Sequence, residues 1–270
     1  MYPYIEIFGR TITTYGLMAL VGMFAAGIFA CVLARKRGYD DNDVIVVLLI
    51  SAIGVLVGGH ILYGLTNWEQ IPMLFTAKSV SQFFQYAGSI FGGSVFYGGL
   101  FGAILAASIT IRAKKLNYTV YSDLLAPVIP LFHCFARIGC FLGGCCYGIE
   151  SSFGFTVTGN TLVPSLNDVC RFPVQLLEAA LNLGLFGVLY LLYRRSLTCK
   201  PLRGRLLLIY LLSYSVIRFL DEFLRGDEIR GFLFGFSTSQ FISILLFFVS
   251  GSILVGLCLR EKLRPAATRK

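Results

Sequence analysis

Three residues in the stretch 204–225 could do chemistry in an otherwise apolar setting. Tyr214, Arg218 and Glu222 recur every four residues, and Arg225 follows three later. In a helix that spacing stacks all four along one face. A guanidinium binds a phosphate in bidentate fashion and keeps its proton. A carboxylate one turn away can orient the bound anion or carry a proton. The plainer alternative is an ion pair that locks this helix against its neighbours.

A second arginine lies in the run Ala136-Arg137-Ile138-Gly139-Cys140-Phe141-Leu142-Gly143-Gly144-Cys145-Cys146-Tyr147-Gly148. The glycines around it would let a bulky headgroup reach backbone N–H groups. His133, four residues before Arg137, shares its face, either as a hydrogen-bonded core histidine or as a catalytic one. A third run, Phe91-Gly92-Gly93-Ser94-Val95-Phe96-Tyr97-Gly98-Gly99, sets paired glycines on both sides of one tyrosine. It reads as tight helix packing or as a phenol offered to the same cavity. His60, Glu178 and Asp221 complete the ionisable groups inside apolar segments. Each such group costs roughly 2.5–3.5 kcal/mol on insertion scales, so each is a functional candidate. Asp123, at the edge of an apolar segment, reads as a helix cap.

There are 8 cysteines. Cys31, Cys134 and Cys258 read as small apolar residues. Cys199 falls in a basic connector. Cys140, Cys145 and Cys146 stand close together in the chain, with Cys170 further on. These four are open to three readings: packing residues, a disulfide from Cys145 or Cys146 to Cys170, or a metal or nucleophile site. The last has no C-x-x-C pair and no nearby His or Glu at zinc-like spacing to support it.

The elements that must carry these residues are legible from composition. Of 270 residues, 56% are apolar and 14% charged. The mean hydropathy is +0.76. A soluble domain would carry about 25% charged residues. A soluble enzyme, a disulfide-rich secreted module and a disordered chain are thereby excluded. The expected class is an all-α polytopic membrane protein, its apolar blocks of about 20 residues each sized for a ~30 Å hydrocarbon core. Seven spans are predicted, over 13–34, 43–66, 91–112, 122–146, 174–193, 204–225 and 239–259. The first block is a full span without a basic leader, so no cleavable signal peptide is expected. Glycine pairs four apart (Gly54/Gly58, Gly98/Gly102, Gly139/Gly143 and Gly144/Gly148) predict close helix approach.

The net charge of +9 has a topological explanation. Arg35, Lys36 and Arg37 follow the first span, and Arg112, Lys114 and Lys115 the third. Arg194, Arg195, Lys200, Arg203 and Arg205 follow the fifth, and Arg260, Lys262, Arg264, Arg269 and Lys270 the seventh. The opposite side holds only Arg10, Lys78, Arg171, Arg225 and Arg230. The asymmetry places the N-terminus outside and the C-terminus in the cytoplasm. No nucleic acid is needed to account for the charge. The chain reads as one integral membrane domain over 1–270. Its connector 67–90 is interfacial, and a small extracytoplasmic region lies around 147–173.

Together these blocks resemble the prolipoprotein diacylglyceryl transferase family, in block order over nearly the whole chain. Thr14-Tyr15-Gly16-Leu17-Met18 is similar to the family's Tyr-Gly segment. Gly58-Gly59-His60-Ile61-Leu62-Tyr63 resembles its Gly-Gly-Arg-x-x-Tyr segment, and the Gly92–Gly99 run its His-Gly-Gly region. Arg137 to Gly148 resembles its signature, Arg-Ile-Gly-Asn-Phe-x-Asn-x-Glu-x-x-Gly. Arg171-Phe172-Pro173-Val174-Gln175-Leu176-Leu177-Glu178 is similar to its Arg-x-Pro-x-Gln-x-x-Glu segment, and the Tyr214/Arg218/Glu222/Arg225 spacing also matches. The departures are Tyr97 for the family's His, His60 for an Arg, Cys140 and Gly143 for two Asn, and Cys145 for a Glu.

The resemblance implies an enzyme of the bacterial inner (plasma) membrane. It implies transfer of diacylglyceryl from phosphatidylglycerol to the lipobox cysteine in the signal peptide of exported prolipoproteins. Arg218, Glu222, Tyr97, Tyr214 and Tyr15 are then the catalytic candidates. Arg137, Gly139, Cys140, Gly148, Arg225 and His60 are the substrate-binding candidates. Arg137 and Arg218 would hold the phosphate. Tyr97 occupies the position of the base, with His133 or Glu222 as substitutes; a tyrosine of pKa about 10 is a weaker base than histidine at neutral pH. No metal and no other cofactor is required. The alternatives are a related phospholipid-dependent transferase with another acceptor, and a lipid-binding membrane protein without catalysis.

Overall fold

The computed structural model describes residues 3–7, 9–158, 160, 167–227, 232–233 and 235–263. Arg230, Arg264, Arg269 and Lys270 of the charge pattern, and 161–166 of the 147–173 connector, lie outside the described residues. The chain divides into two compact units, residues 34–121 and residues 1–33 with 122–270.

Among the described residues, six helical segments are long and apolar enough to cross a membrane: Thr14–Arg35, Asp41–Thr66, Phe96–Ala113, Tyr118–Gly143, Val174–Ser196 and Thr238–Lys262. They coincide with six of the seven predicted spans. Their large apolar residues face outwards: Ile28, Leu56, Leu105, Leu191 and Phe248 are each more than 60% exposed. Helices apolar on every side suit a lipid surround, and the molecule is a multi-pass membrane protein. The predicted span 204–225 instead holds a 16-residue helix, Leu206–Asp221. At 1.5 Å per residue it runs about 24 Å, and the 3₁₀ turn Glu222–Leu224 extends it. Its end is where the charged residues begin.

The unit 34–121 is built on helix α2, Asp41–Thr66, and helix α4, Phe96–Ala113. Their glycines meet face to face. A Cβ on Gly58 would stand 2.2 Å from the carbonyl oxygen of Gly98, and one on Gly54 2.4 Å from that of Gly102. Only a residue without a side chain permits that approach. Between them, the connector expected to be interfacial forms a 3₁₀ helix, Trp68–Thr76, and helix α3, Val80–Phe91. Trp68, Phe75 and Phe84 there are exposed.

The other unit begins with hairpin β1–β2 (Tyr4–Ile7 and Arg10–Thr13), which leads directly into α1, Thr14–Arg35. Helix α5, Tyr118–Leu125, crosses from one unit to the other and is followed by α6, Val128–Gly143. After α6 come strands β3, Glu150–Thr156, and β4, Cys170–Arg171, paired antiparallel within the connector 147–173. Helix α7, Val174–Ser196, packs on α6 and on α8, Leu206–Asp221. A short hairpin, β5 (Phe232–Leu233) with β6 (Phe236–Ser237), precedes α9, Thr238–Leu263, which lies along α8. Asp123 caps a helix as expected, but a distant one. Its carboxylate accepts from the N–H of Gly204 at 2.6 Å and of Leu206 at 3.1 Å, at the start of α8.

Candidate active site

Helices α6, α7 and α8 each direct ionisable side chains to one buried point. Its centre is Glu178 on α7, 1% exposed. Oε2 of Glu178 stands 2.9 Å from Nε of Arg137 on α6 and 3.7 Å from NH1 of Arg218 on α8. Its other oxygen accepts from the hydroxyl of Tyr214 at 3.2 Å and lies 3.5 Å from Nε2 of His133. The Nε–H of Arg137 also donates to His133 Nε2 at 3.2 Å. The rings of His133 and Tyr214 are 5.1 Å apart and tilted, and Tyr210 stacks on Tyr214.

Arg218 is enclosed by carboxylates. NH2 meets Glu222 Oε2 at 2.6 Å, as the i,i+4 spacing predicts, and NH1 meets Asp221 Oδ2 at 3.5 Å. NH2 also donates to the hydroxyl of Ser239 in α9 at 3.3 Å. Arg225 extends the row, 3.9 Å from Glu222 and held by Asp227 at 2.5 Å. Arg137 differs. It reaches both its partners through Nε, and among the described residues its two terminal NH₂ groups make no hydrogen bond. A planar fork of donors therefore remains on a side chain only 7% exposed. Two charges removed from water need each other: losing one partner of such a pair leaves the other unpaired and typically destabilises by about 3–5 kcal/mol.

The remaining site candidates fall in three places. Tyr15 lies in the first turn of α1, beside α6: a Cβ on Gly139 would stand 3.3 Å from the Cα of Tyr15 and 3.0 Å from the Cβ of Met18. Gly139 is thus the point where α1 and α6 touch. Cys140 follows Arg137 by three and is buried on the same helix. Gly148 pairs with Arg225 in an isolated β-bridge, and a Cβ there would come within 2.2 Å of the Phe172 carbonyl oxygen. It lets three chain segments pass in contact. Tyr97 and His60 belong to the unit 34–121. Tyr97 opens α4, buried between the rings of Phe96 and Phe101. His60 Nδ1–H donates to the carbonyl oxygens of Phe91 and Gly93, both at 2.8 Å, tying α2 to the chain that leads into α4.

Glu178 is the residue to which spacing alone gave too little weight. It was legible as one of several ionisable groups inside apolar helices, and as the last residue of the segment resembling the family's Arg-x-Pro-x-Gln-x-x-Glu. The signal for it lay in Gln175 and Glu178, three apart on one face of α7. Gln175 donates to the Cys145 carbonyl oxygen at 2.9 Å, so one face of α7 holds both the end of α6 and its arginine.

Two arginines from different helices thus converge on one buried carboxylate within a multi-pass membrane protein. Comparison with known proteins gives the family. Residues 3–256 match the family model described as "Prolipoprotein diacylglyceryl transferase". Among curated proteins, the chain is 34% identical to phosphatidylglycerol–prolipoprotein diacylglyceryl transferase 2 of Clostridium perfringens, covering 93% of this chain and 92% of that one. It is 32% identical to the enzyme of that name from Clostridium tetani, over 93% of each chain. With the Geobacter sulfurreducens enzyme it shares 33% identity, over 93% of this chain and 92% of the relative. The chain belongs to the prolipoprotein diacylglyceryl transferase family.

Proposed function

We propose that this protein transfers the diacylglyceryl group of phosphatidylglycerol to the lipobox cysteine thiol of exported prolipoproteins. The observation that carries the reading is Arg137. It is buried among apolar helices, charge-balanced through Nε by Glu178, and retains two terminal NH₂ groups for a ligand. That geometry suits a phosphate, which a guanidinium grips with two parallel hydrogen bonds. Membership of the family and the names of the relatives supply the donor and the acceptor.

The roles follow from the contacts. Arg137 takes the phosphate of the lipid headgroup. Arg218, held by Glu178, Asp221 and Glu222, supplies fixed positive charge near the same carboxylate. As the acceptor sulfur attacks the glyceryl carbon bearing the phosphate ester, the carbon–oxygen bond breaks and glycerol phosphate leaves with the electron pair. Preorganised cations stabilise that developing charge at no reorganisation cost. Tyr214 and His133 hold Glu178 in place, and Tyr15 and Gly139 form the adjoining α1–α6 contact. The chain sits in the bacterial inner membrane and crosses it seven times, α8 included, with the N-terminus outside. Fusions of reporter proteins to each connector would check that topology.

The test uses purified protein in phosphatidylglycerol liposomes with a lipobox peptide. A diacylglyceryl mass gain on the peptide cysteine, matched by released glycerol phosphate, is expected. Release without peptide modification would point to a different acceptor, and lipid binding with neither product would sink the enzyme reading.

A further inference from the structure

Three thiols converge at the end of α6. The sulfurs of Cys140, Cys145 and Cys146 all lie within 4.8 Å of one another. The local backbone brings this about. Helix α6 stops at Gly143, and Gly144 turns left-handed at φ 76° and ψ 20°. The N–H of Cys145 then donates to the Cys140 carbonyl oxygen at 3.1 Å, and that of Gly144 to Phe141 at 3.4 Å. This pair of bonds sets the residue after the left-handed one against the residue a turn earlier, so Cys145 folds back over Cys140. Cys146 itself has φ 54°, a left-handed conformation that a residue with a Cβ adopts only at a cost. Gln175 fixes the turn by its bond to the Cys145 carbonyl oxygen. Cys140 is buried, Cys146 half-buried and Cys145 exposed.

Zinc bound by thiolates is tetrahedral with Zn–S near ~2.3 Å, which sets the sulfurs roughly 3.8 Å apart. The three thiols need move by only about an ångström at most to meet that spacing. Three protein ligands with one open position is the composition of a zinc site that does chemistry, not of a closed structural one. A thiol that binds such a metal is deprotonated outright. The transfer reaction needs this, because the thiolate and not the thiol is the nucleophile. The chain also carries Tyr97 where the resemblance leads one to expect a histidine base.

We infer that Cys140, Cys145 and Cys146 bind a zinc ion whose fourth position takes the acceptor cysteine thiol, one helical turn from Arg137. The inference rests on the transferase reading and departs from the expectation that no metal takes part. The step balances. The acceptor thiol loses its proton to solvent on binding zinc, and its sulfur attacks the glyceryl carbon. The carbon–oxygen bond to phosphate breaks, glycerol phosphate leaves with the electron pair, and the neutral thioether dissociates from the metal.

The experiment uses the full chain in detergent with phosphatidylglycerol. Zinc loading is measured by elemental analysis, then repeated with cobalt(II) as an optical probe. One zinc per chain is expected, lost in Cys145→Ser and Cys146→Ser and kept in Cys170→Ser. The cobalt form should show a thiolate charge-transfer band. Its visible bands should shift on adding a lipobox peptide, but not on adding the same peptide with serine for cysteine. Stripping metal from the unmutated protein should slow transfer by about 100-fold or more, the scale typical of lost proton removal, and zinc should restore it. No metal uptake by the reduced protein, a disulfide among the three cysteines in its place, or a cobalt spectrum blind to the peptide thiol would each overturn the inference. So would full transfer by metal-stripped protein, which would leave the transferase reading intact. A thiol-responsive metal site without any thioether or glycerol phosphate would instead sink the transferase reading and leave the site standing.

Discussion

The Nε of Arg137 stands 2.9 Å from Oε2 of Glu178, across the contact between α6 and α7. That same oxygen is 3.7 Å from Arg218 of α8. One carboxylate therefore fixes the separation of two guanidinium groups from helices that are not adjacent in sequence. Its removal should do more than delete a charge.

Glu178→Gln should destabilise the protein by about 3–5 kcal/mol, the range for stripping one partner from a buried ion pair. It removes the carboxylate paired with Arg137 and one of the three around Arg218. Thermal unfolding in detergent should show a clear fall in midpoint, and transfer should be lost with it. An unchanged midpoint would mean that the arginines do not depend on Glu178.

Arg137→Ala should lower transfer by about 10²–10³, the scale for deleting one preorganised donor to a developing anion. Arg137→Lys keeps the charge but not the fork, and should fall between the two. The peptide-mass assay in phosphatidylglycerol liposomes measures both. Full activity and lipid affinity in Arg137→Ala and Arg218→Ala alike would refute the phosphate site.

Tyr214→Phe removes one hydrogen bond to Glu178 and leaves the stack on Tyr210 and the tilted contact with His133 in place. A hydrogen bond to a charged group contributes about 1.5–3 kcal/mol. Stability should drop by that amount and transfer by a smaller factor than in Arg137→Ala. A larger loss of activity than in Arg137→Ala would give the phenol a direct part in the chemistry.

Gly58→Ala should destabilise the unit 34–121 by about 1–3 kcal/mol, as overpacking does. The new methyl would lie 2.2 Å from a backbone oxygen that has no rotamer by which to retreat. Gly88→Ala, where a Cβ meets nothing within 4 Å, is the control. Equal effects on the unfolding midpoint would show that the α2–α4 contact is not what the glycines provide.

Much of this protein was legible in its amino-acid sequence because the relevant physics is local. The membrane class followed from composition and six spans from apolar length, since a lipid-facing helix needs no partner to declare itself. The Arg218–Glu222 pair followed from four-residue spacing, and the close approach of α2 and α4 from glycines four apart. What only the tertiary structure decided is which side chains meet across helices. Glu178 stood out as an ionisable residue closing a family-like segment, but its partners appeared only when α6 and α8 were seen to bring Arg137 and Arg218 to the same oxygen. Asp123 was an unassigned cap until Leu206 at the start of α8, 83 residues away, was found on its carboxylate. The thiols 140, 145 and 146 show no metal spacing when counted along an ideal helix. They meet because α6 ends between them in a left-handed turn, and where the turn falls depends on how the chain packs beyond it.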